Sequence, residues 1–448
     1  MNTNARTKVD ILITHGRILA MDDRNTFIED GAVAIQKDRL LALGKSEDIL
    51  NRYFADEVIE ASDHLVMPGL INAHTHSSDS LFRGLVEDLP LEPWLEKLWK
   101  PEAKFSTAEN VFWGAKLAYL EMIRSGITTA LDMFWFPEVL AEAALQVGFR
   151  LVTGPVFFDT IATDGIPAER RVELAWPFLE RFRDHDLIVP CLQPHAVYTV
   201  SPTRLKQVLD LAQQTKVLIH THASETETEV NNSLREFGHT PIKHLDQLGL
   251  LTSKTILAHC VHLREDEIGL LALRGTSVAH CPISNLKLAS GVAPVHPMLQ
   301  LGVNVAFGTD GPVSGNDLNP WITMRVGAIL QKNHYKNPRV LPAREVVAMF
   351  TCKAAKALGL GDQIGSLEPG KKADVVLIKL NQLHSLPSFD WYTLLVYSIG
   401  RDDVDTVLIN GKVVMRGHKF AQTDETTVIE NIQRINWEIT EYMASDSV

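Results

Sequence analysis

Cysteine is scarce in this chain: four in 448 residues, at Cys191, Cys260, Cys281 and Cys352, with no CxxC pair among them. That excludes a disulfide framework and a cysteine-built zinc site, and predicts buried, reduced thiols in a cytoplasmic protein. Long apolar runs are also missing. No stretch approaches the roughly 20 residues that cross a bilayer, so no membrane partner is expected. The opening MNTNARTKVDILITHGRIL has a polar start, and His15 and Gly16 break its apolar run. It reads as a strand, not a signal peptide. Basic residues are outnumbered, 43 Lys and Arg against 55 Asp and Glu, for a formal charge of −12, and no basic block stands out. A nucleic-acid polymer would need such a block, so it is not an expected partner.

What the chain does have is length, alternation and histidine. A chain of this length suits a large α/β barrel with a smaller companion. Up to about residue 66 it reads as short strands and turns, VDILITHGRILAMD, GAVAIQKDRLLALG and EVIEAS. From 67 to 364 short apolar runs alternate with longer amphipathic stretches. The runs are LINAHTH (70–76), ITTALD (127–132), RLVTGPV (150–156), LIVPCLQP (187–194), KVLIHTH (216–222), TILAHC (255–260), TSVAHC (276–281) and VNVAFGTD (303–310). Near-continuous apolar character predicts strands buried on both faces. Eight of them alternating with helices predict a (β/α)8 barrel, with functional residues at the carboxyl ends of the strands. Two further helices are predicted over about 319–334 and 343–358. From 365 to 448 the strand-rich style returns, with Asn410-Gly411 at a hairpin position, and a terminal helix closes the chain. One small β-sandwich built from both chain ends accounts for the two flanks.

Of the 17 histidines, several fall at the predicted strand ends. His74 and His76 sit two apart, hence on one face of a strand. His220 and His222 repeat that spacing, and Glu225 follows His222 by three. His195 follows the fourth run, His259 closes the sixth, and Asp310 closes the eighth, beside a Gly311 that permits a tight turn. Each feature alone has a plainer reading. An HxH pair can be two polar histidines, an HxxE a helix start, a Thr-Asp-Gly a turn. Their coincidence on converging strand ends points to metal chemistry. Neutral imidazoles with a carboxylate suit zinc and also iron. His220 reads as a partner behind a ligand or as packing, and His280 as structural or near the substrate. His262 and His296 read as surface or capping residues.

The motifs MPGLINAHTH, HASET, LAHCVH, HCPISNLKLASG, FGTDG and GSLEPGKKADVVLI, in that order, resemble the amidohydrolase superfamily over nearly the whole chain. HTHSSDSLFRGLVEDLPLEPWL is similar to its methylthioadenosine/S-adenosylhomocysteine deaminases, a subgroup beside the triazine-degrading chlorohydrolases and aminohydrolases. The resemblance implies His74, His76, His222 and Asp310 as ligands of one divalent metal per chain, because the fourth strand, ending Leu192-Gln193-Pro194-His195, lacks the lysine of binuclear relatives. It implies Glu225 as proton-shuttling acid/base, with His259 and Asp310 assisting at a metal-activated water. His195, Trp94, Glu102, Glu225 and Ser314 are then the substrate-contacting set. The reaction expected is hydrolytic removal of an amino group, as ammonia, from a purine-like ring such as that of 5′-methylthioadenosine.

The pattern is departed from twice. Glu102, in Lys100-Pro101-Glu102, comes one residue early for the glutamate that holds ribose hydroxyls. Pro155 stands where relatives carry an arginine for a homocysteine carboxylate, a job left to Arg170 or Arg171. The expected substrate is therefore a small molecule with an uncharged 5′ group, and the expected assembly a homo-oligomer. The alternatives are an s-triazine hydrolase, a deaminase of another heterocycle such as guanine or a pterin, or, more distantly, a non-catalytic barrel that binds without turnover.

Overall fold

The computed structural model describes residues 6–160 and 163–445; the polar first five residues, 161–162 and the last three lie outside that description. The chain opens with β1 (Thr7–Leu19), β2 (Phe27–Gln36), β3 (Arg39–Lys45), β4 (Tyr53–Glu60) and β5 (His64–Pro68). It continues through β6 (Leu70–Thr75), β7 (Ile127–Asp132), β8 (Arg150–Thr153), β9 (Val156–Phe157) and β10 (Ile188–Pro194). Next come β11 (Leu218–Ala223), β12 (Thr255–His259), β13 (Ser277–His280) and β14 (Val305–Phe307). It ends with β15 (Val375–Lys379), β16 (Val404–Ile409), β17 (Lys412–Arg416) and β18 (Lys419–Phe420).

β6, β7, β8, β10, β11, β12, β13 and β14 pair in parallel, in that order. The ring closes where the Asp310 N–H donates to the His74 carbonyl at 3.1 Å and the Thr309 N–H to Asn72 Oδ1 at 3.0 Å. The eight apolar runs therefore correspond to the eight barrel strands. Small and branched side chains (Ile71, Ala73, Leu131, Val152, Ile256, Ala306) fill the interior, as a packed barrel requires. They share a buried cluster with Ala354, Ala355 and Leu358, which pack against the end opposite the site. The helix predicted over 343–358 is two, Ala343–Met349 and Cys352–Ala357. At the break, the Phe350 carbonyl turns to accept from the Ile71 N–H at 2.7 Å instead of continuing the helix.

β9 pairs with β10 at the barrel, and the remaining strands form one nine-stranded sheet from both chain ends, ordered β18-β17-β16-β15-β5-β1-β2-β3, with β4 also paired to β1. β1 forks the sheet. Thr7–Thr14 run parallel to β4, Arg17 and Ile18 to β5, and a bulge with His15 at φ 59° divides the two. Ile13, Val33, Leu377 and Leu408 meet in its core, the sandwich expected of the two flanks. Asn410 and Gly411 turn β16 into β17, both with positive φ (52° and 75°). A Cβ at Gly411 would fall 1.9 Å from the Lys37 carbonyl, so only glycine fits. Buried Arg150 on β8 joins the two units by a bidentate pair to Asp374, both contacts 3.0 Å. All four cysteines are free; three are buried and Cys352 is partly exposed. No described helix is long and apolar enough to cross a membrane.

Candidate metal-dependent active site

The carboxyl ends of β6, β11, β12 and β14 bring His74, His76, His222, His259 and Asp310 together. The Nε2 atoms of His74 and His76 lie 3.3 and 3.4 Å from Asp310 Oδ1. His222 Nε2 lies 3.3 Å from His76 Nε2. Hydrogen bonds behind the rings fix their tautomers. The His76 Nδ1–H donates to the Met133 carbonyl at 2.6 Å, and the His222 Nδ1–H to the His195 carbonyl at 2.8 Å. His74 is held by a relay. His220 Nδ1 faces the Ile256 carbonyl at 3.1 Å, which can only accept, so His220 Nε2 is bare and accepts from the His74 Nδ1–H at 2.8 Å. His220 is thus the partner behind a candidate ligand, not packing alone.

Three bare Nε2 lone pairs and a carboxylate oxygen converge as a result. His74, His76 and Asp310 offer donor atoms all within 4.8 Å of one another, and His74, His222 and His259 form a second such group. His74 Nε2 is buried without a hydrogen-bonding partner, and lone pairs facing lone pairs at this range repel unless a cation lies between them. The donor set fits a divalent metal. Charge agrees. Burial holds His74 neutral, down to about 4, and pushes His222 well below its usual range. Burial alone would raise Asp310, but the His74 contact and the surrounding imidazoles hold it well below the carboxylate range.

Backbone strain supports the placement. Asp310 and His259 have φ of 62° and 71°, left-handed conformations that cost a non-glycine residue about 1–2 kcal/mol. The turn after β14 therefore bends at Asp310 itself. The positive φ that its sequence context suggests for Gly311 is not there. Gly311 serves instead for close approach, since a Cβ on it would meet Asp79 Oδ2 at 2.5 Å.

Glu225 lies beside this cluster, its Oε2 3.6 Å from His259 Nε2. Burial raises its carboxyl to about 7, against the opposing pull of His259. The His259 Nδ1–H donates to Asn285 Oδ1 at 2.9 Å, which aims Nε2 at Glu225. Ser314 Oγ–H donates to Asp310 Oδ2 at 2.8 Å. A cavity of about 760 Å³, its open mouth included, extends from these groups. Trp94, Trp99, Trp135, Phe134, Phe158 and Tyr198 form its aromatic walls, and His195, Glu102 and Asp79 also line it. His195 is kept neutral by burial, down to about 3, and its Nδ1 pairs with Thr199 Oγ1 at 3.0 Å. Glu102 reaches the cavity despite its early position. The Trp135 indole N–H donates to its Oε1 at 2.7 Å, and burial lifts its carboxyl to about 7 against that bond.

Two expectations are corrected. Arg171 does not face this cavity. It is buried in a bidentate pair with Asp164, at 2.7 and 3.0 Å, and donates to the Val156 and Ile166 carbonyls. Arg170 is at the surface, 3.6 Å from Glu173. Neither stands in for the arginine missing at Pro155. Asp79, unremarked in the sequence, is a lining residue, 6% exposed. His280 is fully buried beside Phe307 and does not line the cavity. The His262 Nε2–H donates to the Ser290 carbonyl, 2.7 Å away, and the side chain is half-buried.

The profile of the amidohydrolase family matches residues 65–414, well over half of the chain. The chain belongs to the amidohydrolase family. This amidohydrolase is 43% identical over 409 residues to a 5-methylthioadenosine/S-adenosylhomocysteine deaminase of Desulforudis audaxviator, covering 90% of this chain and 94% of that one. It is also similar to the crystal structure of an adenosine deaminase from Xanthomonas campestris with bound zinc, with a TM-score of 0.96, 36% identity and 98% and 100% of the two chains covered. An atrazine chlorohydrolase from Arthrobacter aurescens TC1, complexed with zinc, superposes with a TM-score of 0.88 at 25% identity, over 95% of this amidohydrolase and 100% of that chain.

Proposed function

We propose that this amidohydrolase deaminates the purine ring of 5′-methylthioadenosine or a closely related adenosine with a small uncharged 5′ group. The supporting observation is a cavity that joins aromatic walls to the converging imidazoles and Glu225 while containing no lysine or arginine. A homocysteine carboxylate entering it would meet Asp79, Glu102 and Glu225 and find no cation, and an unpaired buried charge is costly. The names of the similar deaminases support the nucleoside.

His74, His76, His222 and Asp310 would hold one divalent metal per chain, zinc in this reading. When bound, it supplies the Lewis acidity that makes water nucleophilic at neutral pH. Glu225, whose carboxyl titrates near 7, takes a proton from the attacking water and delivers it to the ring nitrogen beside the amino-bearing carbon. Asp310 Oδ1 takes the second proton as the C–O bond forms, Ser314 keeping its other oxygen occupied, and passes it to the amino nitrogen, which leaves as ammonia when the C–N bond breaks. His259 steadies the Glu225 carboxylate from 3.6 Å. His195 offers its remaining ring nitrogen to the substrate, and Trp94 and Glu102 bound the sugar and its substituent. The same reading takes the enzyme to be a cytoplasmic homo-oligomer, supported for the compartment by four unpaired thiols.

The test is kcat/KM for 5′-methylthioadenosine against S-adenosylhomocysteine, following ammonia release. A preference of at least tenfold for the former is expected. Equal values would mean that the carboxylate finds a cation after all. No turnover of either would move the assignment to the triazine chemistry of the structural neighbour.

A further inference from the structure

Asp79 lies three residues past His76 on the short turn Ser77–Phe82 that follows β6. Its side chain is more than nine-tenths buried, yet its carboxyl group makes no hydrogen bond or ion pair with any described residue. The nearby charged groups that act on it are all acidic: Glu102, Asp310 and Asp132. Asp132 is already occupied by Ser77 and the Tyr119 hydroxyl. Glu102 is tied on one oxygen to Trp135. Asp79 therefore stands alone among the acids of this cavity in having no protein partner. The backbone opposite makes room for it: the missing Cβ of Gly311 is what leaves space for Oδ2.

The Asp79 oxygens open onto the cavity, so a molecule that fills it strips their water, and a desolvated polar group left without a partner is costly. Such a group persists where a bound molecule satisfies it, and strain or desolvation of this kind concentrates at binding sites. An ionised carboxyl accepts hydrogen bonds and a protonated one both accepts and donates, and a hydroxyl on the bound molecule answers either form. Asp79 lines the same cavity as Asp310 and Glu102 and feels the charge of both, and its Oδ2 packs against Gly311, the residue after Asp310. That hydroxyl therefore belongs to the part of the substrate next to the reacting ring.

We infer that Asp79 reads the substrate: it hydrogen-bonds a 2′ or 3′ hydroxyl of the sugar attached to the purine, and with Glu102 it makes the cavity select a diol-bearing nucleoside over one that lacks the 2′ and 3′ hydroxyls. The inference rests on the nucleoside reading given above. Asp79 is a specificity residue here and moves no proton of the reaction.

The experiment pairs two enzymes changes with two substrates. Adenosine and 2′,3′-dideoxyadenosine are compared with wild-type enzyme, Asp79→Asn and Asp79→Leu, each loaded with zinc. With adenosine, Asp79→Leu loses about 10–100-fold in kcat/KM, mostly through KM, since a hydrogen bond to a charged or buried group is worth that much. Asp79→Asn keeps an acceptor oxygen and loses less than about tenfold. With the dideoxy compound all three enzymes agree within about threefold. The unfolding midpoint of Asp79→Leu stays level or rises, because an unpaired buried carboxyl has been replaced by an apolar group. Equal losses on both substrates, a lowered midpoint accounting for them, or no loss on adenosine would each overturn the inference. Wild-type enzyme inactive on every adenosine compound would instead overturn the nucleoside reading, and that result needs no variant.

Discussion

Replacing His220 with phenylalanine tests how the metal cluster is built. His220 touches neither cavity nor candidate metal position, but its Nε2 is the acceptor for the His74 Nδ1–H at 2.8 Å, and its own Nδ1–H is spent on the Ile256 carbonyl. Phenylalanine keeps a planar ring, somewhat larger than imidazole, and offers no acceptor. The His74 Nδ1–H is then buried without a partner, which costs about 1–3 kcal/mol. The ring can recover part of this only by changing tautomer or rotating, and either move withdraws the Nε2 lone pair from Asp310 Oδ1, 3.3 Å away. Losses of such supporting contacts typically weaken metal affinity by about 10–100-fold. We therefore expect His220→Phe to bind zinc about 10–100-fold more weakly in competition with a chelator, while the protein still takes up one equivalent when zinc is in excess. His220→Gln, whose amide oxygen can accept from His74, should recover part of the loss. Zinc affinity unchanged in His220→Phe would show that the relay has no part in setting the tautomer of His74.

Two more predictions follow from the same geometry. Glu225→Gln keeps shape and hydrogen-bonding capacity but cannot exchange a proton; metal content should stay near normal while kcat falls about 10²-fold or more, and loss of the metal would identify Glu225 as a ligand. His280, pushed down to about 3 by burial and with neither ring nitrogen partnered, stays neutral in the folded chain where the unfolded chain takes up a proton. Stability must therefore fall as pH drops from about 6.5 toward 3, and in His280→Leu urea unfolding should show that slope reduced by up to about 1.4 kcal/mol per pH unit; identical slopes would refute it.

Much of this arrangement could be read from sequence because barrel strands carry two signals at once. An apolar run such as LINAHTH announces burial on both faces, and the polar residues at its end announce the mouth. Side-chain relays announce less: from sequence His220 reads as either a partner behind a ligand or packing. His220 has the same HxH spacing as His74, and only the pairing of β11 with β12, which sets His220 opposite Ile256, separates a ligand from its support. Asp79 escaped notice because an aspartate among serines reads as an ordinary first-turn acid. Its isolation depends on Gly311, 232 positions away along the chain. Arg171 looked available for a substrate carboxylate because Asp164, seven residues earlier, gives no local sign that it will claim the guanidinium. The helix break at Phe350 has no proline or glycine to mark it; the tertiary bond to Ile71 overrides local propensity there.

The pairing of β5 with β15, residues 64–68 against 375–379, also sets an order of events in time. The first five strands pair among themselves, but β5 leaves the ribosome long before β15, its neighbour on the other side, exists. At about 5–20 residues per second, the roughly 300 residues between the two strands take roughly 15–60 s to synthesise. Throughout that interval β5 has an unpaired edge, and such edges recruit other chains. The barrel is made within the same interval and can fold while the flanking sheet waits. Closure of the sheet is thus a late long-range event, followed only by docking of the C-terminal helix Glu425–Ser445, and Arg150, already seated on β8, holds its guanidinium ready for Asp374 when that residue arrives.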